Sequence, residues 1–253
     1  MLMWVSLVLR VEDISEENLE DAFRVCSHNK LDDQTQRKGM DLKREWLLDV
    51  LGRYGPCMKI AYLDDHPVGE VQFYPESIVP YIPHPRDGVI VLHCIYNPFP
   101  DSRGKGVGRA LIEGLINDCR IGAPILGGRS CSFIVAKPFN SGEGLPMVEF
   151  LSHFGFLDGL NEMYLNVSGS YDAREEGTYV PLVEDRGRVV VLYEPVCEWS
   201  YSFNLRVSTL IEELAPNYPV KLINSWEHPE ESIRRGNQWL VVNAKPIQSF
   251  VTE

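Results

Sequence analysis

The stretch Arg103-Gly-Lys-Gly-Val-Gly-Arg-Ala-Leu-Ile112 decides the fold, because it lies between an apolar β run and an amphipathic helical pattern. It contains three glycines, Gly104, Gly106 and Gly108. It also contains three cations, Arg103, Lys105 and Arg109. Without Cβ atoms in the way, successive backbone N–H groups can close around an anion at the positive end of the following helix dipole. The stretch therefore predicts a loop that binds a phosphate group.

Two other phosphate-binding loops do not fit this spacing. A P-loop needs GxxxxGK[ST], which the stretch does not match, and a dinucleotide-binding loop needs GxGxxG, which Gly104-Lys-Gly106-Val-Gly108 does not provide. An ordinary glycine-rich turn between a strand and a helix stays open as the alternative.

The residues before the loop predict strands and helices that lead up to a central strand. The predicted elements are a strand at 4–11, a helix that starts at 13–16 with a capping-box pattern, a helix around 42–51, and a hairpin of strands at 58–63 and 68–74. Residues 88–96 follow, and they are apolar on both faces, which is typical of a strand in the middle of a sheet.

The residues after the loop predict the rest of this domain and then a second one. The predicted elements are a helix at 105–119, a strand at 131–136, a short helix at 147–153 and a strand at 163–167. Residues 168–177 are small and polar, as in a linker. Beyond them come strands at 189–193, 220–223, 238–242 and 247–251 and helices at 205–214 and 229–235. This β-α-β-α-β-β order indicates a small separate α/β domain.

Composition excludes several classes of protein. The chain has 253 residues and a formal net charge of -12, so it does not resemble a protein that binds nucleic acid through phosphates. Six cysteines without a CxxC pair predict neither a disulfide framework nor a metal site. The apolar N-terminus is too short for a membrane span and lacks a basic segment before it, which predicts a cytoplasmic protein that binds no membrane.

The glycine loop resembles the acyl-CoA pyrophosphate loop of the GNAT acetyltransferases. That signature is Arg or Gln, two residues, Gly, one residue, and Gly or Ala, as in Arg103-Gly104-Lys105-Gly106-Val107-Gly108. The preceding order of elements and the later Phe150-Leu-Ser-His-Phe-Gly-Phe156 also resemble the family. The resemblance covers residues 1–168 and implies a GNAT fold, an α/β (α+β) architecture with a mixed central sheet flanked by helices.

The resemblance implies an N-acetyltransferase with acetyl-CoA as its co-substrate. Backbone groups of residues 103–108, with Arg109 beside them, are expected to hold the pyrophosphate. Ile95, Tyr96 and Asn97 are expected to hold the pantetheine arm and the thioester, and Asn140 is a further candidate for the pantetheine arm. The acceptor is expected to be an amine of a small molecule or a peptide, and a homodimer is compatible with the sequence.

Four residues are candidates for proton transfer. His93 is the leading candidate for the general base because it lies on the predicted central strand and titrates near neutrality, although a histidine there is also typical of a hydrogen-bonded core. Glu70 is the second candidate. The family's usual acid is a tyrosine four residues before the Gly of Gly-Phe, where this chain has Leu151. Tyr164 and His153 are the substitutes, and a thiol with a pKa of about 8.5 also leaves as a thiolate.

The C-terminal part resembles a thioredoxin-type fold that carries Cys-x-x-Ser, here Cys197 to Ser200. The combination is similar to the YoaP-like acetyltransferases and implies domains at 1–168 and 188–253 with a linker at 169–187. A helix N-terminus next to Cys197 is able to lower the pKa of its thiol, which leaves a monothiol role open. Ser200 removes the second thiol of a cyclic exchange, so a structural role is favoured.

Two other functions stay open beside acetyl transfer. A module that binds or senses acyl-CoA or a small ligand without turnover is compatible with the missing tyrosine. An enzyme whose chemistry depends on the thiol of Cys197 is the third reading.

Overall fold

The computed structural model describes residues 7–139, 142 and 144–247, and within this part the chain divides into two compact units. Unit 1 falls in Met1–Leu31, Leu47–Ile78 and Pro85–Arg174. Unit 2 falls in Asp32–Trp46, Val79–His84 and Glu175–Glu253. Unit 2 is therefore assembled from three separate segments of the chain. The domain limits 1–168 and 188–253 stay a prediction.

Unit 1 is built on a seven-stranded sheet. Its strands are β1 (Leu9–Asp13), β2 (Met58–Leu63), β3 (His66–Pro75), β4 (Val89–Tyr96), β5 (Phe133–Ala136), β6 (Leu157–Asp158) and β7 (Met163–Asn166). Its helices are α1 (Leu19–Cys26), the second part of α2 (Gln34–Tyr54), α3 (Val107–Ile121) and α4 (Met147–Ser152). The strand order is β1-β2-β3-β4-β5-β7-β6. All neighbours are antiparallel except β4 and β5, which are parallel.

Helices cover both faces of this sheet. Side chains on β2 alternate between the faces, and Lys59 donates to Asp118 of α3 at 2.5 Å. Tyr62 is separated from Lys59 by an odd number of positions, so its side chain points to the opposite face of the sheet. There its hydroxyl donates to Asp21 of α1 at 2.9 Å. The mixed α/β sheet flanked by helices is therefore confirmed, and β4 lies at its centre, as its apolar sequence predicts.

The core of unit 1 joins β4 to α3. Ile90 and Leu92 of β4 and Leu111, Ile112 and Leu115 of α3 are all buried without measurable exposure. Burying one such side chain stabilises a fold by about 1.5–3 kcal/mol relative to leaving it in water. This packing holds the start of α3 in a fixed place beside the sheet.

The first helix begins later than predicted. Its expected start at 13–16 is wrong because Asn18 closes a turn there: its side chain accepts from the Ser15 backbone N–H at 2.8 Å and donates to the Asp13 carbonyl at 3.0 Å. The helix then starts at Leu19. The first strand is also displaced toward the C-terminus, and residues 4–6 of its predicted range lie outside the described residues.

Unit 2 is built on a four-stranded sheet. Its elements are β8 (Val189–Tyr193), α5 (Glu198–Leu214), β9 (Val220–Asn224), α6 (Pro229–Arg234), β10 (Leu240–Val242) and β11 (Lys245–Pro246). The strand order is β11-β10-β8-β9, with β8 and β9 parallel and the other pairs antiparallel. The predicted order of elements is confirmed, although α5 begins before residue 205 and residues 248–251 of the last predicted strand lie outside the described residues. The thioredoxin-like assignment stays a prediction.

The first part of α2 packs against α5 within unit 2. A Cβ atom at Gly39 would lie 2.1 Å from the Glu198 carbonyl oxygen, so only glycine allows this approach. Lys43 and Glu198 form a buried ion pair of 2.9 Å, and Ser202 donates to Gln36 at 2.7 Å.

Among the described residues, no helix is long and apolar enough to cross a membrane.

Candidate functional site

The central strand and its parallel neighbour separate part of the way along unit 1. β4 and β5 pair only from Val89 with Phe133 to Leu92 with Ala136, where β5 ends. β4 continues to Tyr96. Within the described ranges, no strand pairs with residues 93–96 on the side that β5 leaves. The backbone of β4 is therefore open to a ligand at this end of the sheet.

A cavity of about 280 Å³ lies at this opening. It is lined by six residues that the sequence predicts for the co-substrate site, Ile95, Tyr96, Asn97, Arg103, Gly104 and Gly108. Its other wall consists of Phe139, Gly144, Leu145, Met147 and Phe150. The end of β4, the glycine loop and the segment after β5 thus meet around one space.

The glycine loop has the backbone conformation that its glycines allow. Gly104 and Gly106 have φ values of +73° and +83°, and Gly106 is the residue before the first turn of α3. At Gly108 the missing side chain instead allows the Phe150 ring to approach the backbone closely, since a Cβ atom there would lie 3.1 Å from Cε2 of Phe150. No side chain caps the N-terminus of α3, and its first turn holds no acidic residue. The first N–H groups of this helix are thus suited to an anion.

A buried hydroxyl group fixes the turn before the loop. Ser102 is 2% exposed, and its hydroxyl lies 2.5 Å from Oδ1 of Asn97 and 2.8 Å from the Phe99 carbonyl oxygen. The Arg103 backbone N–H donates to the Pro100 carbonyl, and its guanidinium donates to the Pro98 carbonyl, both at 3.1 Å. Arg103 is thereby held against the cavity.

The other two cations of the loop do not line the cavity. Lys105 is exposed. Arg109 is exposed, pairs with Glu113 at 2.9 Å, and lies 5.4 Å from the ring of Phe154. Val107 is buried, and its Cγ1 is close enough to Gly69 that a Cβ atom there would lie 2.8 Å from it. Val107 therefore anchors α3 to β3, and Gly69 is a positioning residue that the sequence pattern did not reveal.

His93 lies in a β-bulge on β4. Gln72 of β3 pairs with Cys94, and the next residue, Phe73, pairs with Leu92, so His93 is the extra residue. Nδ1 of His93 is 3.1 Å from the Tyr74 hydroxyl, and the side chain is half-buried. The hydrogen bond gives the imidazole a fixed orientation. His93 is not among the residues that line the cavity.

Glu70 is buried on β3, opposite Tyr96. Since paired residues share a face, its side chain points to the same face as that of Tyr96. Every second residue of a strand points to the same face, so Gln72 and Tyr74 of β3 share this face with Glu70. The structure thus brings Glu70 and His93 to one face of the sheet, near the end of β4 that opens into the cavity.

Tyr164 lies elsewhere in unit 1. Its ring stacks on Tyr171 with a centroid distance of 4.0 Å and an interplanar angle of 8°, and it packs with Val89, Phe133 and Val135. It does not line the cavity. Leu151, at the position of the expected tyrosine, is buried in α4. Asn140 lies outside the described residues.

The apolar wall of the cavity was missed by the sequence analysis. Phe139 and Leu145 are about half exposed at 49% and 50%, in the glycine- and proline-rich segment between β5 and α4. Large apolar residues in a loop of this kind are a signal for a binding site, but the loop alone does not show which strand end they face.

Among the described residues, no group of three or more His, Cys, Asp or Glu side chains is placed to hold a metal ion.

The thiol of Cys197 is less acidic than a free thiol. Cys197 precedes α5, as predicted, but burial raises the pKa of its thiol above the ordinary value, and the neighbouring Glu198 acts in the same direction. Lys43 and the first N–H groups of the helix act in the opposite direction without reversing the shift. At neutral pH the thiol is protonated.

Comparison with known proteins gives matches among solved structures only. No protein-family model matches the chain, and no curated protein matches it. One similar structure is Ard1 from Thermoplasma volcanium, at 13% identity and a TM-score of 0.44 over 63% of this chain and 97% of that one. Several others are named as acetyltransferases. A GNAT family acetyltransferase from Brucella melitensis, in complex with acetyl-CoA, has 14% identity and a TM-score of 0.42 over 66% and 94%.

A third similar structure is the ribosomal-protein-S18-alanine N-acetyltransferase from Escherichia coli. It has 12% identity and a TM-score of 0.43 over 66% of this chain and 99% of that one. At these identities and TM-scores the likeness assigns neither an activity nor a ligand to this chain.

Proposed function

We propose that unit 1 binds acetyl-CoA in the cavity beside β4 and transfers the acetyl group to an amine. The observation that carries this proposal is the N-terminus of α3. It lacks a side-chain cap, follows a loop with two glycines at positive φ, and lies where β4 and β5 separate. An anion with a long apolar arm fits such a place, because one end meets N–H groups and the other meets an open strand.

The residues present fit a pyrophosphate with an attached pantetheine arm. Arg103 faces the cavity and Lys105 lies in the same loop, in a chain whose net charge is -12. Gly104 leaves open space, since a Cβ atom there would have no neighbour within 4 Å. Phe139, Leu145, Met147 and Phe150 supply the apolar wall. These features support the resemblance of the loop to the GNAT signature.

The reaction follows from placing the thioester at the end of β4. The ammonium form of the amine first gives one proton to a base. The neutral nitrogen then attacks the thioester carbonyl, a C–N bond forms, the C–S bond breaks, and the nitrogen loses a second proton. Backbone N–H groups near Tyr96 are the proposed donors to the oxyanion of the tetrahedral intermediate. Fixed donors of this kind stabilise developing charge without reorganisation.

The amine needs a base, because an amine with a pKa of about 10.4 is mostly protonated at neutral pH. His93 is the proposed base, oriented by its hydrogen bond with Tyr74, and Glu70 on the same face is the second candidate. CoA leaves as a thiolate, because Leu151 occupies the position of the expected acid and the pKa of a thiol is about 8.5. The distant Tyr164 is a weaker candidate for the acid.

The experiment that tests this function is a measurement of CoA release with a panel of small-molecule and peptide amines. We expect release that depends on the amine and on Arg103, and weaker CoA binding in Arg103→Ala. His93→Ala should lower the rate at neutral pH and flatten its rise with pH near pH 6–7, roughly the ordinary histidine pKa. Exposed Arg53→Ala on α2 removes the same charge away from the cavity and should change neither quantity.

A second function has one observation in its favour. Leu151 is buried where the resemblance expects an acid, and this favours a module that binds acyl-CoA without turnover. Tight binding of acetyl-CoA in calorimetry, with no CoA release for any amine, would support that function. Absence of any CoA binding would reject both.

A further inference from the structure

A groove of about 400 Å³ in unit 2 has the composition of a ligand site, and acetyl transfer does not use it. It lies beside the end of β8 and the first two turns of α5. The lining residues are Leu192, Glu194, Trp199, Ser200, Phe203, Asn204 and Trp239. Small-molecule sites in proteins usually hold about 300–1,000 Å³ and combine aromatic walls with a few polar groups. This groove fits both criteria.

The aromatic wall of the groove is held in place by its surroundings. Phe203 and Trp239 have ring centroids 5.9 Å apart and an interplanar angle of 48°, so their faces are inclined to each other. Trp239 packs on the buried cluster around Val191, and its carbonyl accepts from the Leu192 backbone N–H at 2.7 Å. Ring faces carry partial negative charge and attract cations.

A carboxylate lies at the same groove. Glu194 follows β8 directly, accepts a hydrogen bond from the Tyr81 hydroxyl, and has its backbone N–H bound to Ser200 at 3.0 Å. The lining contains no lysine, arginine or histidine. The charge and the ring faces thus favour the same kind of ligand, which is a cation.

A buried amide gives a second, independent indication of a ligand. Asn204 is 5% exposed, and within the described part of the chain its Oδ1 atom has no hydrogen-bond donor. Its Nδ2 atom lies 3.4 Å from the Ser200 hydroxyl. A buried acceptor without a donor costs about 1–3 kcal/mol. The Oδ1 atom lies beneath the surface of the groove that Asn204 lines, so a ligand N–H would remove this cost once the amide turns toward the groove.

We propose that this groove binds a small organic ammonium ion that carries N–H groups. Its carbon chain would lie against Trp199, Phe203 and Trp239, and its charged end would meet Glu194 and Asn204. The proposal concerns unit 2 alone and stands whether or not unit 1 transfers acetyl groups.

Calorimetry on the whole chain without CoA tests the proposal, with three probes of equal chain length. Hexylammonium should bind about tenfold more tightly than 1-hexanol, because only its charged end is attracted electrostatically by the ring faces and the carboxylate. Hexyltrimethylammonium should bind less tightly than hexylammonium, because it has no N–H for Asn204. Glu194→Gln should reduce the preference for the cation, leaving only the part that comes from the ring faces. Glu213→Gln on α5 makes the same change in charge at an exposed position away from the groove. This control variant should retain the full preference for the cation.

The indole N–H resonances locate the bound probe. Hexylammonium should shift those of Trp199 and Trp239, which single Trp→Phe variants assign, and leave Trp46 and Trp226 of the same unit unchanged. If Glu194→Gln fails to fold, Phe203→Leu replaces it as the test variant, and it should weaken the binding of hexylammonium. Equal binding of the alcohol, binding unaffected by Glu194→Gln, shifts absent from the groove tryptophans, or no binding would each overturn the proposal. An amine held only in unit 1 would leave all four resonances in place.

Discussion

Oδ1 of Asn97 accepts a 2.5 Å hydrogen bond from the hydroxyl of Ser102, and this bond ties the residue after β4 to the turn before the glycine loop. Ser102 is buried, so water does not replace the bond when it is lost. The position of Arg103 relative to the end of β4 depends on this contact. The two halves of the proposed CoA site are thus linked by a single side-chain pair.

Ser102→Ala should therefore weaken CoA binding as well as the fold. We expect a loss of about 1 kcal/mol in the free energy of unfolding, because the bonds of the buried Ser102 hydroxyl to Asn97 and to the Phe99 carbonyl are lost. We also expect a severalfold higher dissociation constant for CoA in calorimetry. Ser168→Ala removes a hydroxyl that donates to the Cys131 carbonyl at 2.7 Å, elsewhere in unit 1, and should leave CoA affinity unchanged. Equal effects of the two variants would contradict the positioning role.

Gly106→Ala and Gly108→Ala should fail for different reasons. At Gly106, where φ is +83°, alanine should cost about 1–2 kcal/mol of folding free energy. At Gly108 the new methyl group would press on the Phe150 ring at 3.1 Å, so the main loss should be in CoA affinity. Gly52→Ala in α2 is the control, since no atom lies within 4 Å and alanine favours a helix by about 0.5–1 kcal/mol. Denaturant unfolding and calorimetry separate the two losses.

The strands and helices were predictable where apolar residues recur with the regular spacing of a strand or a helix. The start of α1 was not, because Asn18 stabilises a turn that competes with the helix in front of Leu19. The membership of residues 32–46 in unit 2 was not predictable either. It depends on the contact of Gly39 with Glu198, which lies far along the sequence and leaves no local pattern.

The candidate site was predictable on its glycine side and not on its apolar side. A phosphate loop depends on local backbone geometry, which glycines reveal, whereas Phe139 and Leu145 gain their role only from the separation of β4 and β5. The polar segment after residue 167 makes contacts that its composition does not reveal. Tyr171 stacks on a neighbouring ring, and Arg174 pairs with buried Glu76 at 2.9 Å.

Arg86→Met should destabilise unit 1 strongly. The guanidinium pairs with Glu76 at 2.7 Å and Glu162 at 2.6 Å, and all three side chains are buried. Burial acts to lower the pKa of Arg86, but its bonds to the two carboxylates outweigh this and raise it. Removing one partner of a buried ion pair costs about 3–5 kcal/mol. Here Glu162 loses the cation that it pairs with, whereas Glu76 retains its bond to Arg174. Thermal or denaturant unfolding measures the loss.

Arg109→Met is the matched control for Arg86. It breaks an ion pair with Glu113 in which both side chains are more than half exposed, and such pairs contribute about 0–1 kcal/mol. Similar losses in the two variants would show that burial does not set the strength of the Arg86 network.

Cys197 should react slowly with alkylating agents at neutral pH and faster as the pH rises. The thiolate is the reactive form, and burial raises the pKa of this thiol, so the thiolate becomes abundant only above the ordinary pKa of about 8.5. Iodoacetamide labelling of the Cys197 peptide, followed by mass spectrometry from pH 7 to 10, measures the midpoint. The urea-unfolded protein is the reference, because its thiol has the ordinary pKa. A midpoint in the folded protein below that of the unfolded one would restore the reactive thiol that a helix N-terminus normally produces.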